Sequence, residues 1–172
     1  METQQPKTGK FAFQYGLLLA GISIVFSLML YFMDMHLEQN IVFSIIGITI
    51  MAVIILLGIL AFKKANGGFI TLGQAIRTGL GIAALSGVII LIYNFIFAYA
   101  IEPEFPEQVM EMRRQQMVEA GKLTPEQIQQ QGEMGIRYFW IGFLVILIVH
   151  ILIGLVISLI EGLIVKKSRP DY

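Results

Sequence analysis

The sequence has 172 residues, of which 56% are hydrophobic and 14% are charged, and its formal net charge is zero. Soluble domains typically carry roughly 25% charged residues, so a soluble fold could not cover this much apolar surface. A neutral chain also lacks the basic surface that nucleic-acid binding needs. The absence of cysteine excludes disulfides, thiolate zinc sites, iron–sulfur clusters and cysteine nucleophiles. The composition therefore predicts an integral membrane protein whose excess apolar surface faces lipid.

Four apolar segments are long enough to cross a bilayer, which takes about 20 helical residues. They are residues 11–33, 41–62, 79–101 and 138–165, and we assign the whole chain, 1–172, to one membrane domain. The first segment has a basic start like a signal peptide. Its 23 apolar residues exceed a signal core of roughly 7–15, however, and no small-residue cleavage site follows. We expect it to be retained as a spanning helix.

The basic residues indicate the orientation, because loops on the cytoplasmic side are enriched in Lys and Arg. Eight of the twelve basic residues fall on one side of the four segments, and the short 34–40 loop on the other side has none. The 102–137 loop has four basic and seven acidic residues. We predict that both termini and the 63–78 turn are cytoplasmic. The eight residues are Lys7, Lys10, Lys63, Lys64, Arg77, Lys166, Lys167 and Arg169.

The long loop 102–137 carries start and stop signals for two polar helices. Pro106 suits the first turn of a helix that ends near Gly121. Thr124 then precedes Pro125, with Gln127 three residues after the Thr, which is the pattern of a capping box. We predict a polar helical hairpin outside the membrane; a solvated flexible loop is the alternative.

The 63–78 connection is predicted to be a cytoplasmic turn around Asn66-Gly67-Gly68. Thr71 and Gln74 repeat the capping pattern. Helicity is therefore expected from Leu72, with one or two turns at the interface before the chain enters the bilayer at Gly79.

Small residues recur at four-residue spacing in the last two spanning segments. Such residues let helix backbones approach closely, which is a main source of helix association in lipid. We interpret them as packing positions and predict that the third and fourth spanning segments pair. They are Gly79, Ala83 and Gly87 in the third segment, and Gly154, Ser158 and Gly162 in the fourth.

One face of the fourth segment is unusually polar. His150 lies near the predicted bilayer middle, and Glu161 lies eleven residues further on, on nearly the same face, with Ser158 between them. Ionisable groups at this depth are costly, so this face points to protein or water. One interpretation is a proton or cation path, with Asn94 opposite. The other is structural: His150 bonds a neighbouring helix, and Glu161 pairs with Lys63, Arg77 or Lys166 or reaches the headgroups.

Motifs of known enzymes are missing. The sequence has no His-Glu-x-x-His and no Gly-x-Ser-x-Gly, and Ser86-Gly87 is predicted to lack a nearby base. The alternating Asp34, His36 and Glu38 could touch a metal, but such a trio in a short turn is more often solvated. We expect no catalytic residue, metal or other cofactor.

Three stretches resemble a known family. They are Phe62-Lys63-Lys64-Ala65-Asn66-Gly67-Gly68-Phe69-Ile70-Thr71-Leu72-Gly73-Gln74-Ala75-Ile76-Arg77-Thr78-Gly79-Leu80, then Ile92-Tyr93-Asn94, and Ile101-Glu102-Pro103. With the last helix ending in Lys-Lys, the chain from about Lys10 to Lys167 resembles a bacterial membrane family catalogued as domain of unknown function 4199. The resemblance implies a four-helix protein of a bacterial inner membrane. It implies no activity, and no functional residue is transferred from it.

These observations predict an all-α integral membrane protein with four transmembrane helices, both termini inside, a short interfacial helix inside and a polar helical hairpin outside. The expected function is non-enzymatic: binding or supporting another membrane or envelope component. The alternative is a small transporter or proton-coupled permease that uses the His150 and Glu161 face. Expected partners are the lipid bilayer and either a second copy or another membrane protein. The sequence names no substrate and indicates no nucleic acid.

Overall fold

A computed structural model describes residues 6–38, 40–121 and 123–168. The elements that it contains are helical: α1 Thr8–Phe32, α2 Ile41–Ala65, α3 Leu72–Ile96, a π-helical turn Phe97–Ile101, α4 Phe105–Ala120, α5 Pro125–Arg137 and α6 Phe139–Val165. Four of these, α1, α2, α3 with its π-helical turn, and α6, are long and apolar enough to cross a membrane. The prediction of an all-α fold with four such helices is confirmed.

Local capping residues explain where several helices begin. The Asn40 side chain accepts from the Val42 amide at 2.9 Å at the start of α2. Thr71 and Thr124 each form both bonds of a capping box, before α3 and α5 respectively. Each cap satisfies amides that the first helical turn leaves without partners. Gly121 ends α4 with φ 62°, a left-handed conformation that a side chain would strain.

α3 begins at Leu72, where the sequence predicts that helicity begins, and it continues through Gly79 without a break. Gly79 is buried and packs within the bundle. Among the described residues there is thus no separate interfacial helix at this end.

The centre of the bundle is α3, which packs along its length against both α1 and α6. The buried core gathers at the end of the bundle that carries the 66–71 connection. Its members come from α1, α2, α3 and that connection: Leu19, Met51, Ile54, Ile55, Ile59, Phe62, Ile70, Ala75, Ile82 and Ala83. The buried residues of α2 begin only at Met51, and residues 41–49 are exposed except for Phe43. The first half of α2 therefore contributes little to the core.

The C-terminal end of α6 is attached to the connection between α2 and α3. Ile70 and Lys167 exchange two backbone hydrogen bonds of 3.0 and 2.9 Å. The Lys63 ammonium donates to the Val165 carbonyl at 2.9 Å, which satisfies an acceptor at the end of α6. Lys63, Lys64, Lys166 and Lys167 thus lie at one end of the bundle, which we call the lysine end. Arg169, which the orientation argument also used, lies outside the described residues.

The opposite end of the bundle carries α4 and α5, two polar helices that pack against each other. Gly135 on α5 lies so close to Met110 on α4 that a Cβ there would overlap the Met110 sulfur. Pro106 and Met110 of α4 and Ile128 of α5 are buried. We call the pair the α4–α5 cover.

Candidate functional site

The small residues of α3 and α6 meet in one seam. A Cβ on Gly79 would overlap the Ser158 hydroxyl, and a Cβ on Gly154 would overlap that of Ala83. At the lysine end, a Cβ on Gly162 would lie 3.0 Å from that of Ala75. The two backbones are therefore in contact along this seam, as small residues at four-residue spacing allow.

His150 lies on the same side of α6 and bonds across to α3. Its Nε2 atom is 3.1 Å from the Ser86 hydroxyl, which also donates to the Ala83 carbonyl at 3.1 Å. A hydroxyl has one hydrogen, so while Ser86 donates to Ala83, the Nε2–H of His150 must be the donor to Ser86. The ring also touches Gly87, where a Cβ would lie 3.1 Å from the His150 Cδ2 atom.

This pair corrects the expectation that Ser86 has no base nearby. The two residues are 64 positions apart, and the packing of α3 on α6 brings them together. The Ser86 side chain is nevertheless fully buried at 0% exposure. The distance is that of a nucleophile and its base, yet His150 Nε2–H is the donor in this bond, and the buried hydroxyl leaves no space for a substrate carbonyl.

The residues of the predicted polar face, Asn94 of α3 and the polar residues of α6, do not lie in one environment. Ser158 donates to the Gly154 carbonyl of its own helix and is fully buried against Gly79. Asn94 lies apart from it, beside a cavity at the other end of the bundle. The face between His150 and Glu161 is therefore tightly packed at Ser158.

Glu161 does not form the ion pairs that were predicted for it. Within the described part of the chain it has no cation within 4.0 Å among Lys63, Arg77 and Lys166, and its Oε2 atom is buried without a hydrogen-bond partner. Lys63 is directed to the end of α6 instead, and Arg77 is exposed. Glu161 lies near the lysine end in the sequence, but it forms no ion pair there because Lys63 bonds the Val165 carbonyl and Arg77 is exposed.

A cavity of about 370 Å³ lies between the α4–α5 cover and the four long apolar helices. This volume falls within the range of small-molecule sites, roughly 300–1,000 Å³. Its wall is mostly aromatic and aliphatic, with a few polar groups: Ser27, His36, Asn94, Phe97, Phe105, Val109, Arg113, Gly135, Tyr138, Phe139, Gly142, Phe143 and Ile146. The residues come from α1, the 33–40 loop, α3 with its π-helical turn, α4, α5 and α6, so the cavity exists only in the folded bundle.

Phenyl rings form a continuous edge-to-face series around this cavity. The ring centroids of Phe97 and Phe105 are 5.3 Å apart, those of Phe105 and Phe139 are 6.0 Å apart, and those of Phe139 and Phe143 are 5.4 Å apart. Edge-to-face pairs at these distances are stabilised by the ring quadrupoles. The series joins the π-helical turn, α4 and α6 and gives the cavity a preformed apolar wall.

His36 closes one side of the cavity. Its Nε2 atom lies 3.2 Å from the Glu102 carboxylate, and both side chains are largely buried, at 13% and 14% exposure. The ring also packs edge-on against Tyr31 and is stacked on Phe105. The expectation that His36 is solvated together with Asp34 and Glu38 is wrong, because His36 turns inward to a partner 66 residues away.

The floor of the cavity leads toward His150. Asn94, Phe143 and Ile146 line the cavity and also a small gap of about 10 Å³, whose wall includes Gly87 and His150. Such a gap has about the volume needed for one water molecule. Asn94 is therefore the one member of the predicted polar face that contacts the cavity.

Sequence reasoning missed most of this site. The five phenyl and phenol side chains of the wall carry no sequence motif. A usable signal existed at positions 105, 109 and 113, since these share one face of α4 at four-residue spacing and include apolar side chains in a polar helix.

No curated protein and no solved structure matches the chain. A family profile described as "Protein of unknown function (DUF4199)" matches residues 14–167. The match includes the three stretches that carried the resemblance in the sequence, the α3–α6 seam and the whole of the cavity wall. The chain therefore belongs to the DUF4199 family.

Proposed function

We propose that this protein is a non-enzymatic, multi-pass membrane protein that binds another membrane component in the cavity beneath the α4–α5 cover. The observation that carries the proposal is the cavity itself: about 370 Å³, with a preformed aromatic wall and a few polar groups. Sites of this size and lining are the usual binding sites for small and mostly apolar ligands.

The membrane placement rests on two supports. The large apolar side chains of α6 are exposed over most of its length, as lipid-facing residues are, for example Ile148 at 58% and Val156 at 55%. The four lysines of the lysine end share one end of the bundle, and Arg77 lies in the first two turns of α3. We propose that this end is cytoplasmic, that both termini lie there, and that the membrane is a bacterial inner membrane.

The surroundings of the Ser86–His150 pair favour binding over catalysis. Ser86 lies in the α3–α6 seam, where an added methyl group at Gly87 would already overlap Leu147. Acyl transfer needs a substrate carbonyl within about 3 Å of the hydroxyl and a donor for the oxyanion. The seam offers a structural reason for the pair: it joins two helices by a hydrogen bond in lipid.

The test compares two glycine variants of the purified protein by native mass spectrometry. Gly142 lines the cavity, and a Cβ there meets no atom within 4 Å, so Gly142→Phe is expected to fill space without breaking the bundle. Gly47 on α2 is equally open and does not line the cavity, so Gly47→Phe is the matched control.

The wild type and Gly47→Phe are expected to carry a bound small molecule that Gly142→Phe lacks. A bound molecule retained in Gly142→Phe would contradict the proposal. The same spectra test whether the partner is a second copy of the chain, because a dimer would have twice the protein mass.

A second candidate is a small proton-coupled transporter. The observation in its favour is the gap that connects the cavity floor at Asn94 with His150. Against it stands the seam beyond His150, where Ser158 is fully buried between Gly79 and its own helix. Proton flux into liposomes that stops in His150→Phe and persists in His36→Phe would favour the transporter over the binding protein.

A further inference from the structure

One wall of the cavity is a stripe of α4. Phe105, Val109 and Arg113 follow each other at four-residue intervals, so they lie on one face of the helix, and all three line the cavity. The stripe runs from an apolar ring to a cation. α4 belongs to the cover, so the cavity has its cation on the cover side, whereas the long apolar helices contribute phenyl and aliphatic side chains together with the uncharged polar Ser27 and Asn94.

Arg113 is the unmatched charge of this cavity. No carboxylate of the described residues lies within 4.0 Å of its guanidinium, whereas its neighbour Arg114 pairs with Glu111 at 2.9 Å. The other cationic candidate in the wall, His36, is already held by Glu102.

The surrounding loop 102–137 is acidic overall, with seven acidic and four basic residues, which would oppose an anion at long range. None of those glutamates lines the cavity, however. Glu102 comes close, because its carboxylate lies 3.2 Å from the wall residue His36, but that contact engages it, and Arg113 is the charged side chain of the cavity wall without a carboxylate partner among the described residues.

We infer that the ligand of this cavity is an amphipathic anion, with a carboxylate, phosphate or sulfonate at Arg113 and an aliphatic or aromatic body among the phenyl rings. The inference rests on the proposed function of the cavity as a binding site. A guanidinium matches the geometry of such head groups with two parallel hydrogen bonds. The phenyl series and Ile146 take the apolar body, and the Asn94 amide marks the deep end.

The test uses Trp140 as reporter. It is the only tryptophan of the chain and lies between Phe139 and Gly142, which both line the cavity. Three brominated quenchers with the same undecyl chain carry a sulfonate, an alcohol or a trimethylammonium head. Each is titrated into the full-length protein in phosphatidylcholine nanodiscs, and the saturable part of the quenching gives an apparent Kd.

The sulfonate is expected to bind about tenfold more tightly than the alcohol, since an exposed charge-assisted contact contributes about that factor. Arg113→Gln should remove this difference. Arg114→Gln changes the same charge one residue away and should keep it. Both positions are exposed, so neither change disturbs the core.

The outcomes separate the two levels of the proposal. Equal saturable binding of sulfonate and alcohol that Gly142→Phe abolishes would keep the binding cavity and overturn the anion preference. Tightest binding of the ammonium probe would also overturn it. No saturable quenching by any probe would overturn both the cavity and its ligand class.

The lipid composition of the nanodisc tests whether the anion is a lipid or a free molecule. If added phosphatidylglycerol displaces the sulfonate probe, the anion is a membrane lipid. If probe binding is unchanged, the anion is a free amphiphile.

Discussion

Adding one methyl group at Gly154, a tight point of the α3–α6 seam, is expected to lower the free energy of unfolding relative to the same addition at an open glycine of α6. In Gly154→Ala the new Cβ would lie closer than 3.0 Å to the Cβ of Ala83, which real Cβ atoms essentially never do. It would also lie 2.9 Å from the Met51 Cε atom. Met51 can move its flexible end, but the Ala83 Cβ is fixed to the α3 backbone. The methyl group can enter only if α3 and α6 separate.

Gly142→Ala, on the same helix, meets no atom within 4 Å and is the matched control. Both changes gain the intrinsic helix preference of Ala over Gly, about 1 kcal/mol, so this term cancels between them. Overpacking a well-packed site costs about 1–3 kcal/mol. Gly154→Ala is therefore expected to be about 1–3 kcal/mol less stable than Gly142→Ala.

The assay is unfolding by SDS in mixed micelles, followed by Trp140 fluorescence. The free energy of unfolding of each variant is extrapolated to the same SDS fraction. Equal values for Gly154→Ala and Gly142→Ala would refute the reasoning, because the seam would then have room that the structure denies.

Three further outcomes are expected. A fluorophosphonate probe should leave Ser86 unlabelled in the folded protein, because its hydroxyl is fully buried; labelling that disappears in Ser86→Ala would instead indicate an enzyme. Lys167→Pro removes an amide that donates to Ile70 at 2.9 Å, so the Ile70 amide should exchange faster with deuterium, while Lys167→Ala should leave it protected. The pKa of Glu126 is lowered by the hydrogen bond from its own backbone amide and by the Thr124 hydroxyl. The stabilisation of α5 by this carboxylate is therefore present above the ordinary pKa of Glu and is lost as pH falls through the lowered folded pKa. An NMR titration should show that Thr124→Val raises this pKa, and an unchanged value would contradict the hydrogen bond between Thr124 and Glu126.

Local chemistry explains which parts of the fold were predictable. The four long apolar helices follow from the length of the apolar runs, and the starts of α3 and α5 coincide with the Thr71 and Thr124 capping patterns. Each signal lies within a few residues along the chain, so one sequence suffices to recognise it. The placement of the turns before Gly79 at the membrane interface stays a prediction.

The site was beyond such reasoning because its contacts join distant residues. His36 meets Glu102 across 66 positions, and Ser86 meets His150 across 64. The sequence assigned His150 a place on a polar stripe of its own helix, but its partner was set by the register of α3 against α6. The cavity likewise depends on how the α4–α5 cover packs on the four long apolar helices, and the periodicity of the sequence does not indicate the distance between them.

The most direct test of the account asks which polar positions water can reach. The chain has no cysteine, so single cysteines report without background. In delipidated protein, a charged thiol reagent is expected to label Asn94→Cys through the cavity and to leave Ser158→Cys unlabelled, with exposed Ser168→Cys as the positive control. Labelling of Ser158→Cys as fast as the control, with Asn94→Cys unreactive, would contradict it, because the polar face of α6 would then be the water-filled path and the cavity would be closed.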